Sequence, residues 1–169
     1  MTVLNGVRVF FLGLWLGAAL FFSAVVAPNV FAVLRSFQLS NANEIAGSIV
    51  TRTLSVVNVW GFVIGLLALG ITVGFRPSAR RGLFTMEVLS LALLAITTAV
   101  GQWVVASRML TIRTALVIPI DQVDPADPRR VAFNSLHHYS VVALSVAMLA
   151  AGVGVVVVMV QSRGRVDQE

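Results

Sequence analysis

The chain has 169 residues, 58% of them apolar and only 11% charged, with a formal net charge of +5 and no cysteine. Soluble domains average about 45–50% apolar and about 25% charged residues, so this composition excludes a water-soluble globule and points to an integral membrane protein. The missing cysteines exclude disulfides and thiol nucleophiles. The twelve basic residues, all Arg, are dispersed among loops, which argues against a nucleic-acid surface while suiting anionic head groups.

Four intervals, Val9–Leu34, Thr53–Phe75, Val88–Ser107 and Val131–Ser162, contain no Asp, Glu, Lys or Arg. Each reaches the roughly 20 residues needed to cross about 30 Å of hydrocarbon as a helix. The expected architecture is an all-α integral membrane protein, a four-transmembrane-helix bundle. Residues 1–169 form one membrane domain, with spans at about 7–34, 53–75, 83–106 and 136–161 and a loop carrying an amphipathic segment over 107–130. A signal peptide is the competing reading of the first span, because Arg8 precedes an apolar run ending in Ala-rich residues. That run exceeds the usual h-region of about 7–15 residues, so retention as a helix is the expectation.

In chain order, Pro28 is expected to kink helix one or mark where it leaves the core, and 36–42 is a polar turn. Helix two opens with an amphipathic turn holding Glu44 and Arg52, and ends at "FRPSARRG", where Pro77 and Gly82 stop helices and Arg76, Arg80 and Arg81 crowd a short loop. Helix three is expected to continue as an interfacial piece through "SRMLTIRTALVI". Asp127 followed by Pro128 reads as an N-cap and N1 pair launching helix four. The acid-free Arg loop places both termini on the cytoplasmic side of a multi-pass protein of the cell membrane.

Small residues four apart let transmembrane helices approach closely, so Gly13 with Gly17, Gly61 with Gly65 and Gly70 with Gly74 are expected packing seams, in preference to hinges. Glu87, Ser90, Thr97, Gly101 and Arg108 recur along one stripe of helix three. An intramembrane carboxylate raises the possibility of an ion relay. Because Glu87 lies near the helix start beside Arg80 and Arg81, ion pairing or interfacial solvation there is the favoured reading.

Polar groups also gather at the opposite membrane face: Asn29, Asn58 with Trp60, Gln102 with Trp103 and Arg108, then Asn134, His137, His138 and Tyr139 in "FNSLHHYS". Amides and aromatics at such positions are ordinarily interfacial or hydrogen-bond between helices, and that reading stands ahead of a shallow ligand pocket. His137 and His138 diverge by about 100° on a helix, and Met148 lies about 16 Å beyond His137, so neither pairing predicts an intramolecular metal site. No metal ligands are assigned. Ser135 and Ser140 neighbour the histidines without an acid to complete a triad, so no catalytic residue is assigned and catalysis is not the expected activity.

"LWLGAALFFSAVVAPNVF" (14–31), "AGSIVTRTLSVVN" (46–58) and "FNSLHHYS" (133–140) resemble a membrane family of unknown function that includes transmembrane protein 205-like proteins, and are more distantly similar to copper-resistance-D-like membrane proteins. The resemblance implies a four-helix membrane protein with Trp15, Gly17, Pro28, Phe31, Gly47, Phe133, His137 and Ser140 at motif positions. Leu144 departs from an expected Asn. The leading expectation is a non-catalytic membrane-embedded binding or accessory protein in solute, metal or drug tolerance, with Trp15, Asn29, Asn58, Asn134 and His137 as ligand-binding or helix-locking groups and no cofactor. The alternatives are a haem- or copper-binding redox protein using His137 from two subunits, and a small ion-coupled transporter using Glu87. Expected partners are the lipid bilayer and a second copy or another membrane protein.

Overall fold

A computed structural model describes residues 3–75 and 81–166, with side chains described as far as Ser162. Four helices long and apolar enough to cross a membrane make up nearly all of it: α1, Val3–Ser36; α2, Ala42–Phe75; α3, Arg81–Thr114; and α4, Pro128–Val166. The described residues contain no strand. Only helices satisfy every backbone donor and acceptor within one segment, which is what hydrocarbon demands. Each helix packs on its neighbours in sequence and α1 meets α4, closing an up-down-up-down ring. The Val3 end of α1, the Phe75 end of α2, the Arg81 end of α3 and the Val166 end of α4 therefore lie at one end, and the 37–41 turn and the 115–127 loop at the other.

The first three helices are each 34 residues long, well beyond the charge-free intervals. Helix α3 begins at Arg81 and holds Gly82 in its first turn; Arg76, Pro77 and Arg80 lie outside the described residues. Two π-turns interrupt the α-helical phase. One, Phe22–Val26 in α1, is followed directly by Ala27 and Pro28. Proline has no N–H and its ring crowds the carbonyl four residues back, so widening the preceding turn lets the helix continue through Pro28, beyond which no residue of α1 is buried. The other, Val100–Ala106, carries α3 continuously to Thr114. The segment 107–114 is thus the last part of a long rod.

Helix α1 ends as Gln38 takes a positive φ of 53°, a left-handed position past the C-terminus that leaves the Gln38 N–H donating to the Arg35 carbonyl at 3.1 Å. Helix α4 starts as its sequence predicts. The Asp127 carboxylate accepts from the Arg129 backbone N–H at 2.8 Å and from the Arg129 guanidinium at 3.0 and 2.6 Å. These bonds hold the Asp127 carboxyl down at about 2. The loop before it is tied to the α1–α2 turn by Asn43, which donates to Asp121 at 2.9 Å, and by Gln122, which donates to the Ser40 carbonyl at 3.0 Å.

Core packing concentrates in the middle of the bundle, where Leu12, Trp15 and Ala19 of α1 meet Ala68, Leu91, Leu94, Ala147 and Ala151. The Gly61–Gly65 seam is real. A Cβ on Gly61 would stand 2.8 Å from both the Trp15 ring and the Thr98 methyl, and one on Gly65 would stand 3.2 Å from the Ala95 backbone nitrogen. The other two expected seams are absent: Cβ atoms on Gly13, Gly17, Gly70 or Gly74 would meet nothing within 4 Å. Their spacing is right, but they sit on outward faces. Helix α4 supplies a seam through Ala147, Ala150, Ala151 and Gly154 instead, with Leu91 of α3 lying 3.5 Å from where a Gly154 Cβ would be.

At the terminal end one polar network joins all four helices. Arg8 of α1 is ion-paired with Glu87 of α3, and the two side chains are 5% and 0% exposed. The Thr72 hydroxyl of α2 accepts from Arg8 Nη2 at 2.6 Å and lies 2.8 Å from Glu87 Oε1. Gln161 of α4 donates to Glu87 Oε2 at 2.9 Å. Asn5 accepts from Arg8 at 3.3 Å and donates to Ser162 at 3.1 Å. This corrects the expectation of a shallow Glu87 reaching toward Arg80 and Arg81. Arg81 is exposed, and the partner comes from another helix.

Three outcomes follow from these contacts. Gly61→Leu drives a side chain into Trp15 and is expected to cost about 1–3 kcal/mol, the usual overpacking penalty, whereas Gly13→Leu on the open face stays within about 0.5 kcal/mol; unfolding in mild detergent compares them. Glu87→Leu leaves Arg8 buried and unpaired and is expected to cost about 3–5 kcal/mol, while Arg8→Met combined with Glu87→Leu recovers most of that loss. Additive losses in this pair would count against the ion pair. Because the Asp127 carboxyl is depressed in the fold, its cap is complete above about pH 4 and is lost as pH falls toward about 2. Hydrogen exchange at Arg129–Ala132 is therefore expected to accelerate across that range, and Asp127→Ala to show the fast rate throughout.

Candidate functional site

At the loop end of the bundle the four helices splay around a cavity of about 310 Å³. Its walls come from every helix: Phe22, Pro28 and Phe31 of α1; Leu54, Ser55 and Asn58 of α2; Gln102, Ala106 and Met109 of α3; His137, Ser140, Leu144 and Met148 of α4. Both π-turns border it, through Phe22 and Ser23 in α1 and through Gln102 and Ala106 in α3. An extra residue per turn widens the backbone and shifts the facing side chains, which is why such turns cluster at functional positions.

Asn58 is the polar centre of the cavity. It is 4% exposed, yet its carboxamide makes no hydrogen bond among the described residues and faces the cavity. Gly101 permits this placement, since a Cβ there would stand 3.3 Å from Asn58 Nδ2. Gln102, one residue on, donates to Ser55 at 2.8 Å and keeps a second amide atom, Oε1, buried without a partner. His137 contributes an imidazole at the cavity's outer part, where the residue itself is exposed. The remaining lining is mostly apolar, and among the described residues no Asp, Glu, Lys or Arg reaches it.

Trp15 lies outside the cavity's lining, in the core of the bundle. Its indole Nε1 donates to the Val57 carbonyl at 2.8 Å, and its ring covers Gly61. Trp15 is thus placed as a helix lock between α1 and α2. Above the cavity, Arg113 of α3 approaches Glu44 Oε1 to 3.1 Å and lies over the Phe133 ring at 5.3 Å. A Cβ on Gly47 would meet the same guanidinium at 2.7 Å. Helices α2, α3 and α4 are tied by this one side chain.

Of the polar residues expected at this face, Asn58, Gln102 and His137 converge on the cavity. The others do not. Asn29 is exposed and folds back on its own helix, donating to the Val25 carbonyl at 2.8 Å. Asn134, His138 and Tyr139 point outward. Trp60 and Trp103 are 59% and 54% exposed, the latter edge-on to Phe62 at 5.0 Å. Arg108 is exposed as well, so the expected stripe on α3 is buried at Glu87, Ser90 and Gly101 but not at its far end. Glu87 belongs to the opposite end of the bundle and shares no wall with this cavity.

Four of the expected motif positions, Pro28, Phe31, His137 and Ser140, line the cavity, and Gly47 and Phe133 hold Arg113 above it. Gly17 faces open space. The contributions that sequence reasoning missed are the α1 wall around Phe22 and Met109 on α3. Phe22 lies seven residues from Trp15, which is the one available signal that it faces inward. Among the described residues no three His, Cys, Asp or Glu side chains come together as a metal-holding group. The cavity offers one imidazole, His137, with Met109 and Met148 as the sulfur groups.

No curated protein matches the chain, and no solved structure matches it. Residues 10–116, which hold α1, α2 and α3 of the cavity but not α4, match the family described as a domain of unknown function, DUF4149, and the chain belongs to that family.

Proposed function

We propose that this is a non-catalytic, membrane-embedded binding protein whose ligand is a small uncharged amphiphile held in the four-helix cavity. The carrying observation is a pair of carboxamides in a mostly apolar pocket: Asn58, 4% exposed and without a hydrogen bond among the described residues, and Gln102, whose Oε1 is buried without a partner. A buried unpaired polar group costs about 1–3 kcal/mol, which a ligand supplying a donor or acceptor recovers. Binding sites commonly combine an apolar wall with a few such convergent groups. The likeness to transmembrane protein 205-like and copper-resistance-D-like proteins supports a role in solute, metal or drug tolerance. The acid-free Arg76, Arg80 and Arg81 support cytoplasmic termini in a cell membrane, so that the cavity lies toward the far side. Glu87 is read as a structural ion-pair partner, in preference to an ion relay.

The test is thermal unfolding in mild detergent with short amphiphiles. Benzyl alcohol or hexanol is expected to raise the midpoint saturably, by roughly 5–10 °C near a hundredfold excess over Kd, and hexane to raise it far less. Asn58→Leu removes the unpaired amide and is expected to abolish the difference between alcohol and alkane. No saturable effect, or an equal effect in Asn58→Leu, would mean that water alone satisfies the amide, and the reading would be discarded. An absorption spectrum and elemental analysis of the same fraction cover the alternative: stoichiometric haem or metal lost in His137→Ala would replace this reading with a redox one.

A further inference from the structure

The cavity does not end at its own walls. Ser145 and Met148 of α4 line it on one side, and on the other they line an apolar groove between α1 and α4. That groove continues past Leu16 and Leu20 of α1 and past Leu149, Val153 and Val156 of α4. Its depth at Gly152 comes from a missing side chain: the one atom near a Cβ there would be Leu16 Cδ2, at 3.9 Å. From Ser145 to Val157 the groove follows α4 for about 18 Å, comparable with the roughly 15 Å of one hydrocarbon leaflet.

We propose that cavity and groove form one site for a neutral single-chain lipid, its uncharged hydroxyl or amide head on Asn58 and its tail in the α1–α4 groove. This rests on the cavity reading and names the ligand class. The lining selects the head, because a phosphate or carboxylate drawn between the helices would need an opposite charge beside it. No Asp, Glu, Lys or Arg among the described residues lines either the cavity or the groove to offset such a charge. A hydroxyl or amide needs only the hydrogen bond that Asn58 has free. A head bonded to Asn58, between the helices, also separates this lipid from those that merely coat the protein.

The experiment uses the full chain in mild detergent with a long-chain alcohol carrying a diazirine midway along its chain. Illumination is expected to label 145–157 of α4 and 16–20 of α1 saturably. Unlabelled hexadecanol, at equal mole fraction in detergent, is expected to compete at least about tenfold better than hexanol, because each buried methylene adds affinity. Ionised palmitate is expected to compete at least about tenfold less well than hexadecanol. Asn58→Leu should cut labelling at least about fivefold. Gly152→Phe and Val153→Trp fill the groove from two positions; in whichever folds, hexadecanol should fall to the affinity of hexanol while hexanol still stabilises the protein. Labelling that ignores Asn58→Leu, or that palmitate competes equally, means a coating lipid only and overturns the proposal. If hexanol binds through Asn58 but chain length adds nothing, the tail assignment falls and the cavity reading survives. If neither alcohol binds, both fall.

Discussion

The pairing of Arg8 with Glu87 is the interaction around which the bundle is organised. Two ionised groups are costly at this depth unless their charges and remaining hydrogen-bonding positions are met by protein. Here each helix supplies part of what is needed: Asn5 and Arg8 from α1, Thr72 from α2, Glu87 from α3, Gln161 and Ser162 from α4. A network that needs four helices to be complete also specifies how those helices are arranged. Rotating any one of them by a single residue, about 100°, would strand a charge or an amide in hydrocarbon. Apolar packing in lipid discriminates far less between such rotations, since lipid tails are as apolar as the core.

With the terminal end fixed in this way, the midsection is free to pack closely and does so through small residues. Gly61 takes the Trp15 ring, Gly65 takes the Ala95 backbone, and Ala147, Ala151 and Gly154 let α4 approach α3 and α1. Beyond Trp15 the pattern changes. The π-turns at Phe22–Val26 and Val100–Ala106 alter the helical phase of α1 and α3, and the four helices no longer close on one another. Arg113 and the 115–127 loop then tie the splayed ends together, so the opening is held at its rim.

Much of this fold was legible because its main signal, long charge-free intervals bounded by Arg and Glu, needs only one segment at a time. Asp127–Pro128 was legible for the same reason, as a local cap. What stayed hidden were pairings between segments. Arg8 borders the first apolar interval and reads as a flanking charge, and its partner Glu87 lies 79 residues away. The Gly13–Gly17 and Gly70–Gly74 spacings are correct for a seam, but spacing does not say which way the face turns, and the described bundle leaves both faces open. A search confined to glycine also passes over the alanines of α4. At the cavity, sequence reading grouped Asn29, Asn58, Gln102, Asn134 and His137 at one membrane face, and only Asn58, Gln102 and His137 line the cavity. Their azimuth decided which of them met. Asn29 follows Pro28 by one residue and therefore by about 100°, enough to place Pro28 in the wall and Asn29 outside it.

The two ends of the bundle treat their carboxamides differently. At the terminal end Asn5 and Gln161 both bond to other helices, beside an Arg8 whose Nε stays buried without a partner. At the loop end Asn58 sits 4% exposed with none, one α-helical stretch away from the same core. Loose packing is not the reason. A Cβ on Gly101 would stand 3.3 Å from the Asn58 amide nitrogen, and the neighbouring Gln102 donates to Ser55 while its own Oε1 stays buried without a partner. The Asn58 amide, free of internal hydrogen bonds on the cavity wall, is available to a group from outside the chain.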